Sequence, residues 1–504
     1  MKTKKSIINI FFNLISQIVT LGLGIIIPKL FLINFGSEIN GAVNSIGQIF
    51  SCVSLLEAGI GGVTTQALYK TVVNNDYEKS NRILSAASKY YKKMGLYYIL
   101  AVAILAIVYP MLVESSVSKL TLFLIIVFTG MGGAINFFLQ FKYTVILNAD
   151  GHNYVLTNIN MFINILTSIA KVILLLLGFN IIAVQFSQFL ITLLRIYILN
   201  KYMKKGYKWI DFDVEPDYSA LSQKNAQLIH QISYMVFSNT DILVLTFITQ
   251  NLKLVSVYSI YNMIIGVIDG LISSVNNGLT FAFGQVYAED KKRYEMYFDC
   301  YEIVYMAVVF SVYIVTLYYI LPFLKLYTNG INDINYLDYN LALLFVVMRL
   351  FVAMRSQSYN AILISGHFKD TQKSAVIEMI INLASSIILV YFLGIYGVIL
   401  GSIAGLLYRN TYCIIFANEK VLNRSPLVTF KRWIINMLIF IVFLFIPKNF
   451  IVFQDTFIHI LIGACLMFIV ISIIIFIINY CFEPKTFKNI FNILKNMFKN
   501  KWRK

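Results

Sequence analysis

Fourteen apolar runs, most of them joined by very short connections, decide what this chain can become. They cover residues 7–33, 42–66, 94–113, 120–141, 154–177, 181–200, 227–250, 255–282, 297–321, 340–364, 374–393, 395–417, 433–451 and 457–482. Each is close to the roughly 20 residues of helix that cross a bilayer. Inside lipid every backbone N–H and C=O needs an internal partner, so such runs must be helices. The fold class expected is an all-α polytopic membrane protein of about 14 transmembrane helices. Composition agrees: of 504 residues 59% are hydrophobic and 13% charged, against roughly 25% charged in a soluble domain. The first run follows Met1–Lys5 and imitates a signal peptide. It continues to Phe35 with Asn, Gln and Pro inside it and no small-residue cleavage site, so it reads as a retained span.

The placement of charge sets an orientation. With both termini inside, the inner segments hold 31 Lys and Arg residues and the outer ones 4: Lys119, Lys253, Lys325 and Lys448. That asymmetry is the positive-inside pattern. The net charge of +17 is therefore topological. It favours anionic inner-leaflet lipids, and nucleic-acid binding has no place in the account. The tail Phe487–Lys504, with Phe487, Ile490, Phe491, Leu494 and Phe498 among lysines, reads as an interfacial amphipathic anchor. The cysteines (Cys52, Cys300, Cys413, Cys465, Cys481) and histidines (His152, His230, His367, His459) are scattered, with neither a disulfide framework nor a metal spacing.

An internal repeat organises the spans. Met161-Phe-Ile-Asn164 to Ser168-Ile169 in the fifth run matches Met379-Ile-Ile-Asn382 to Ser386-Ile387 in the eleventh. The preceding loops match as well, Tyr143 to His152 against Tyr359 to His367, and Gly59 to Gln66 matches Gly278 to Gln285. These offsets of 215 to 219 residues equal six spans. Two lobes of like orientation follow, related by a pseudo-two-fold axis along the membrane normal, with a substrate cavity expected between them. The domains expected are an N-lobe over 1–200, a cytoplasmic linker over 201–226 and a C-lobe over 227–417. Two extra spans over 433–482 and a basic tail over 483–504 complete the chain.

Polar stripes mark the helices that could line such a cavity. Run 1 carries Asn13, Gln17, Thr20, Gly24 and Pro28, and run 2 carries Ser54, Glu57, Gly61 and Thr64 or Thr65. Run 7 has Gln227, Gln231, Tyr234, Ser238 and Asp241; run 8 has Tyr258, Asn262, Gly266, Asp269, Ser273 and Asn276. Spacings of three and four put each set on one helix face. Small and amide residues also glue membrane helices together, and Asp269 could be a structural carboxylate satisfied by its neighbours. Yet a carboxylate at mid-depth costs about 2.5–3.5 kcal/mol and must face a bundle interior or water. Of the cations within spans, Lys29, Lys171, Arg195 and Arg409 lie near span ends and are expected to snorkel. Arg349 is deeper, with Ala353, Ser356 and Asn360 continuing its face. It is a candidate partner for Asp269 or Asp241, or for an anionic head group. Arg355 points elsewhere around the helix, and Glu378 on run 11 is read as interfacial.

Several short motifs resemble the polysaccharide flippases of the multidrug/oligosaccharidyl-lipid/polysaccharide exporter superfamily. They are Pro28 with Phe35-Gly36 and Asn40-Gly41, Leu55-Leu56-Glu57-Ala58-Gly59-Ile60-Gly61, and Asn239-Thr240-Asp241-Ile242-Leu243-Val244. The resemblance implies a flippase that turns an undecaprenyl-diphosphate-linked oligosaccharide repeat unit to the outer leaflet by alternating access, in capsule or O-antigen assembly. It also implies a cationic cavity lined by helices 1, 2, 7 and 8, residence in a bacterial plasma membrane, and assembly enzymes as partners. The lipid II flippase subgroup carries several cavity arginines; here those four runs offer only Lys29. The residue set expected to line the cavity is Asn13, Gln17, Lys29, Glu57, Tyr234, Asp241, Tyr258, Asn262, Asp269, Asn276, Arg349 and Asn360, with no catalytic residue and no metal. No cofactor is expected; Na⁺ or H⁺ coupling through Glu57, Asp241 or Asp269 is allowed but not required. No Gly-Lys-Ser/Thr phosphate loop for ATP occurs. A cation-coupled drug exporter of the same superfamily is the alternative, and would usually stop at twelve spans. A membrane polymerase would need acids on a large outer loop, and the loop at about 322–339 has only Asp333 and Asp338. A purely structural scaffold would leave the charges inside the spans unexplained.

The orientation has a direct check. A fluorescent-protein fusion at Lys504 should be bright and an alkaline phosphatase fusion there inactive; the opposite pair would invert the topology.

Overall fold

The computed structural model describes residues 2–57, 60–221, 235, 239–367, 370–446 and 456–501, and side chains from residue 24 onward with local exceptions. All regular structure among these residues is helical. The chain divides into two compact units, 1–263 with 330–334, and 264–329 with 335–504. Eleven of the described helices are long and apolar enough to cross a membrane. They coincide with expected runs 3–6 and 8–14. Runs 1, 2 and 7 fall wholly or partly on residues outside that description.

In the first unit α1 (Lys2–Val53) breaks at Gly36, whose φ of 74° lies in the left-handed region open to glycine. A 3₁₀ turn over Ser54–Glu57 leads to α2 (Ile60–Val73), α3 (Tyr77–Leu112) and α4 (Lys119–Ile135). A π turn, Asn136–Gln140, joins α4 to α5 (Phe141–Ala149). Then come α6 (Asn153–Leu176), α7 (Ile181–Gly206) and α8 (Asn239–Thr249). Asp76, Ser118 and Asn180 cap α3, α4 and α7 by accepting backbone N–H groups that the first turn leaves unpaired. The core gathers Phe50, Tyr91, Tyr98, Val102, Ile125 and Phe137. Gly130 lets Phe50 and Val102 press against the α4 backbone, where any Cβ would collide with them.

The long α9 (Leu252–Glu289) begins in the first unit and continues into the second. There follow α10 (Lys291–Tyr327), α11 (Tyr339–Ile364), α12 (Gln372–Leu393) and α13 (Ile395–Phe416). α10 is buried on all sides over Tyr305–Ile320, as an apolar helix surrounded by others must be. α12 and α13 form a hairpin in which Gly397, Gly401 and Gly405 recur every four residues. A Cβ on Gly397 would strike the Leu389 carbonyl, and one on Gly401 would strike Ser386. Without a hydrophobic force between helices in lipid, such close approach supplies the packing. Asn382 Nδ2 then donates to Ser402 Oγ at 2.8 Å.

The last helices, α14 (Leu427–Leu444), α15 (Phe457–Phe482) and α16 (Pro484–Lys501), are fastened by charge. Arg432 pairs with Glu302 and, at 2.7 Å, with Glu483; Arg424 pairs with Asp299 and, at 2.8 Å, with Glu302. Glu302 is 1% exposed and Arg432 2%, so neither charge is solvated. The amphipathic tail is indeed a helix, but it also docks on protein: the Phe487 ring lies 5.6 Å from that of Tyr480. Removing one member of a buried charge cluster strands the others at a cost of about 3–5 kcal/mol. Arg432→Met should therefore lower the detergent-solubilised Tm sharply, with Gly401→Val acting the same way through steric collision; wild-type melting in both would mean neither contact fastens its helices.

Candidate functional site

α9 presents Tyr258, Asn262, Asp269 and Asn276 along one side, and their partners differ with depth. In the second unit Asp269 accepts a hydrogen bond from the Tyr313 hydroxyl of α10 and faces Arg349 of α11, with Oδ2 3.2 Å from Nη1. The two charged side chains remain 27% and 19% exposed, so this ion pair is open on one side. Two turns on, Asn276 Oδ1 accepts from Gln357 Nε2 at 3.0 Å and from the Tyr301 hydroxyl, and its Nδ2 donates to Ser356 Oγ at 3.1 Å. Asn360 lines a small pocket together with Asn276, Tyr301 and Gln357. α11 thus aims Arg349, Ser356, Gln357 and Asn360 at the α9 stripe, spaced seven, one and three residues apart.

A second polar seam belongs to the first unit. Asn40 Nδ2 donates to Ser256 Oγ at 2.7 Å, Thr246 Oγ1 to Ser45 Oγ at 2.9 Å, and Gln48 Nε2 to Asn239 Oδ1. Between them Gly41 meets the backbone of α9 so closely that a Cβ would overlap the Leu252 carbonyl. Ser37 adds its N–H and hydroxyl to Asp333, at 2.7 and 2.6 Å. The Tyr258 hydroxyl donates to buried Asp241 at 2.7 Å. The break at Gly36 turns α1 so that Asn40, Gly41, Ser45 and Gln48 meet α8 and the start of α9.

Beneath that break a cavity of about 190 Å³ is lined by Pro28, Phe31, Asn40, Asn44, Lys171 and Ser259. Lys171, expected to reach a span end, instead holds its ammonium 5.7 Å above the Phe31 ring, a cation–π placement. Lys29 is half-buried on α1 beside this cavity, and Asn262 is half-buried on α9. Glu57 ends the 3₁₀ turn. It has no cation or hydrogen-bond donor among the described residues. The side chains of Asn13 and Gln17, and Tyr234 altogether, lie outside the described residues.

Two further expectations about charge are corrected. Glu378, read as merely interfacial, is buried and paired, with Oε1 2.5 Å from Arg355 Nη1 and Oε2 3.6 Å from Arg409 Nε. Arg409 does not snorkel: it is 2% exposed and donates to the Thr371 carbonyl at 2.9 Å. Distance along one helix cannot reveal a partner supplied by the next. The tyrosines Tyr301 and Tyr313 and the amide Gln357 were also missed. Tyrosine counts as apolar in a hydropathy run, so α10 carried no polar signal at those positions.

No protein-family model matches this sequence, and no curated protein matches it. Solved structures do. The chain is similar to the lipid II flippase MurJ in an inward closed conformation, at 14% identity, covering 95% of this chain and 100% of that one, with a TM-score of 0.72. It is similar to an inward-facing multidrug resistance MATE family transporter of the MOP superfamily, at 15% identity, covering 80% and 94%, with a TM-score of 0.62. A MOP superfamily transporter from Pyrococcus furiosus matches at 14% identity over 84% and 94%, with a TM-score of 0.56. The protein is a multi-pass membrane protein with the fold of MOP superfamily transporters.

If Asp269 and Arg349 act as one unit, a double-mutant cycle with Asp269→Asn and Arg349→Gln should show a coupling of about 0.5–3 kcal/mol in detergent unfolding. Additive effects would mean the two charges serve separately.

Proposed function

We propose that this protein is a flippase that moves an undecaprenyl-diphosphate-linked oligosaccharide repeat unit from the inner to the outer leaflet by alternating access, in the synthesis of a cell-surface polysaccharide. The observation that carries the reading is the full-length likeness: the flippase structure accounts for 95% of this chain, the inward-facing exporter for 80%. A sugar head group needs hydroxyl-bonding side chains, and the α9–α11 stripe supplies amides, serine and tyrosine around one open ion pair. Arg349 could exchange its bond to Asp269 for one to phosphate, with Tyr313 left to hold the carboxylate. The lipid tail can stay in the bilayer throughout, and no covalent step is required; the protein is not an enzyme in this reading. An inside-negative potential assists outward movement of an anion by about 2.3 kcal/mol per charge per 100 mV. Coupling to Na⁺ or H⁺ through Glu57, Asp241 or Asp269 would add to that drive. Assembly enzymes of the same polysaccharide are the partners proposed, and a bacterial plasma membrane the site.

Alternating access needs a closure that can open. The Gly41 seam suits that role because its hydrogen bonds are between neutral groups, each worth about 0.5–1.5 kcal/mol net. The buried ionic cluster at Glu302 is costly to open and serves instead as a permanent fastening.

Two tests follow. Deleting the gene should abolish surface polymer and leave repeat units on the inner leaflet. Unchanged polymer with raised sensitivity to cationic drugs would replace this reading with a multidrug exporter. Oxidative cross-linking of Asn40→Cys with Ser256→Cys should arrest transport and a reductant should restore it; full turnover in the cross-linked protein would refute movement at the seam.

A further inference from the structure

α4 and α7 leave a groove of about 220 Å³ between them, lined by Thr129, Gly132 and Asn136 on one side and Gln188, Thr192 and Arg195 on the other. Its α7 wall runs from Gln185 to Arg195 with spacings of three, four and three, a rise of about 15 Å along the helix. Arg195 was expected to reach a span end and be hydrated there. It turns inward instead, donating from Nη2 to Asn136 Oδ1 at 2.5 Å. Its Nε is buried and has no hydrogen-bond partner, and no carboxylate among the described residues pairs with it. Glu378 answers Arg355 and Arg409, and acidic side chains answer Arg424 and Arg432; among the described residues no acidic side chain answers Arg195. An arginine inside a bilayer requires one.

The backbone is adapted at the same place. The π turn begins at Asn136 itself, and such turns recur at functional sites. Gly132 keeps the groove open: a Cβ there would find only Thr192, 3.8 Å away. The surroundings favour a lipid over a free ion. Leu190, Leu193 and Leu194 project from α7 at 46%, 40% and 38% exposure, a surface for an acyl chain. Lys201, Lys204 and Lys205 follow one to three turns beyond Arg195 at the basic end of α7, where anionic head groups concentrate.

We propose that the α4–α7 groove is a binding site for an anionic phospholipid of the inner leaflet, with its phosphate held by Arg195 and its polar head by Gln188 and Thr192. Arginine suits phosphate through charge-assisted hydrogen bonds. The site is independent of the cargo proposed above, because it is read out by lipid binding and not by transport.

The test is native mass spectrometry of the purified full-length protein titrated with phosphatidylglycerol, phosphatidylcholine or inorganic phosphate. Wild type should retain phosphatidylglycerol in preference to phosphatidylcholine. Arg195→Gln should weaken that binding by about tenfold, equivalent to 1.4 kcal/mol, and Arg195→Lys should keep most of it. Gly132→Leu, which fills the groove without touching the charge, should weaken it comparably and serves if Arg195→Gln fails to fold. Undiminished phosphatidylglycerol binding in the soluble variants, as a purely basic helix end would give, overturns the proposal. So does binding of inorganic phosphate without the lipid.

Discussion

A charge taken out of water has to find a complement, and that requirement arranges most of what is distinctive here. Where two or three helices each contribute one ionised side chain, the helices are held together by the cost of separating them. Glu302 with Arg424 and Arg432 fixes the last spans to α10. Glu378 with Arg355 and Arg409 ties α11, α12 and α13. Asp269 and Arg349 obey the same rule less completely, since both stay partly exposed.

The contrast between ionic and neutral contacts divides the joints of the molecule into strong and weak ones. Glycine-mediated approach serves both. In the α12–α13 hairpin it is reinforced by buried amide and hydroxyl bonds. At Gly41 it is accompanied by a row of neutral side-chain bonds, each worth about 0.5–1.5 kcal/mol net. A single sequence can write both kinds of joint with the same small residues.

Much of the architecture was legible beforehand. Runs 3–6 and 8–14 became apolar helices of membrane-spanning length because an apolar run in lipid has no other way to satisfy its backbone. The polar stripe of α9 was visible from spacing, and Arg349 was named as a candidate for Asp269. What escaped were partners across helices: Tyr313, Tyr301, Gln357 and both arginines around Glu378. Hydropathy scores tyrosine by its ring and ignores its hydroxyl, and it cannot tell a snorkelling arginine from a paired one.

By itself the sequence determined that the chain is a helical membrane protein, where its spans run and which faces of them are polar, because helix period and lipid solvation act locally. Only tertiary structure decided which charge meets which. Helix neighbours are set by close packing at positions such as Gly41 and Gly401, between residues far apart along the chain. Whether Arg195 ended against a carboxylate or beside the α4–α7 groove was settled at that level, by which face of α4 came to lie against α7.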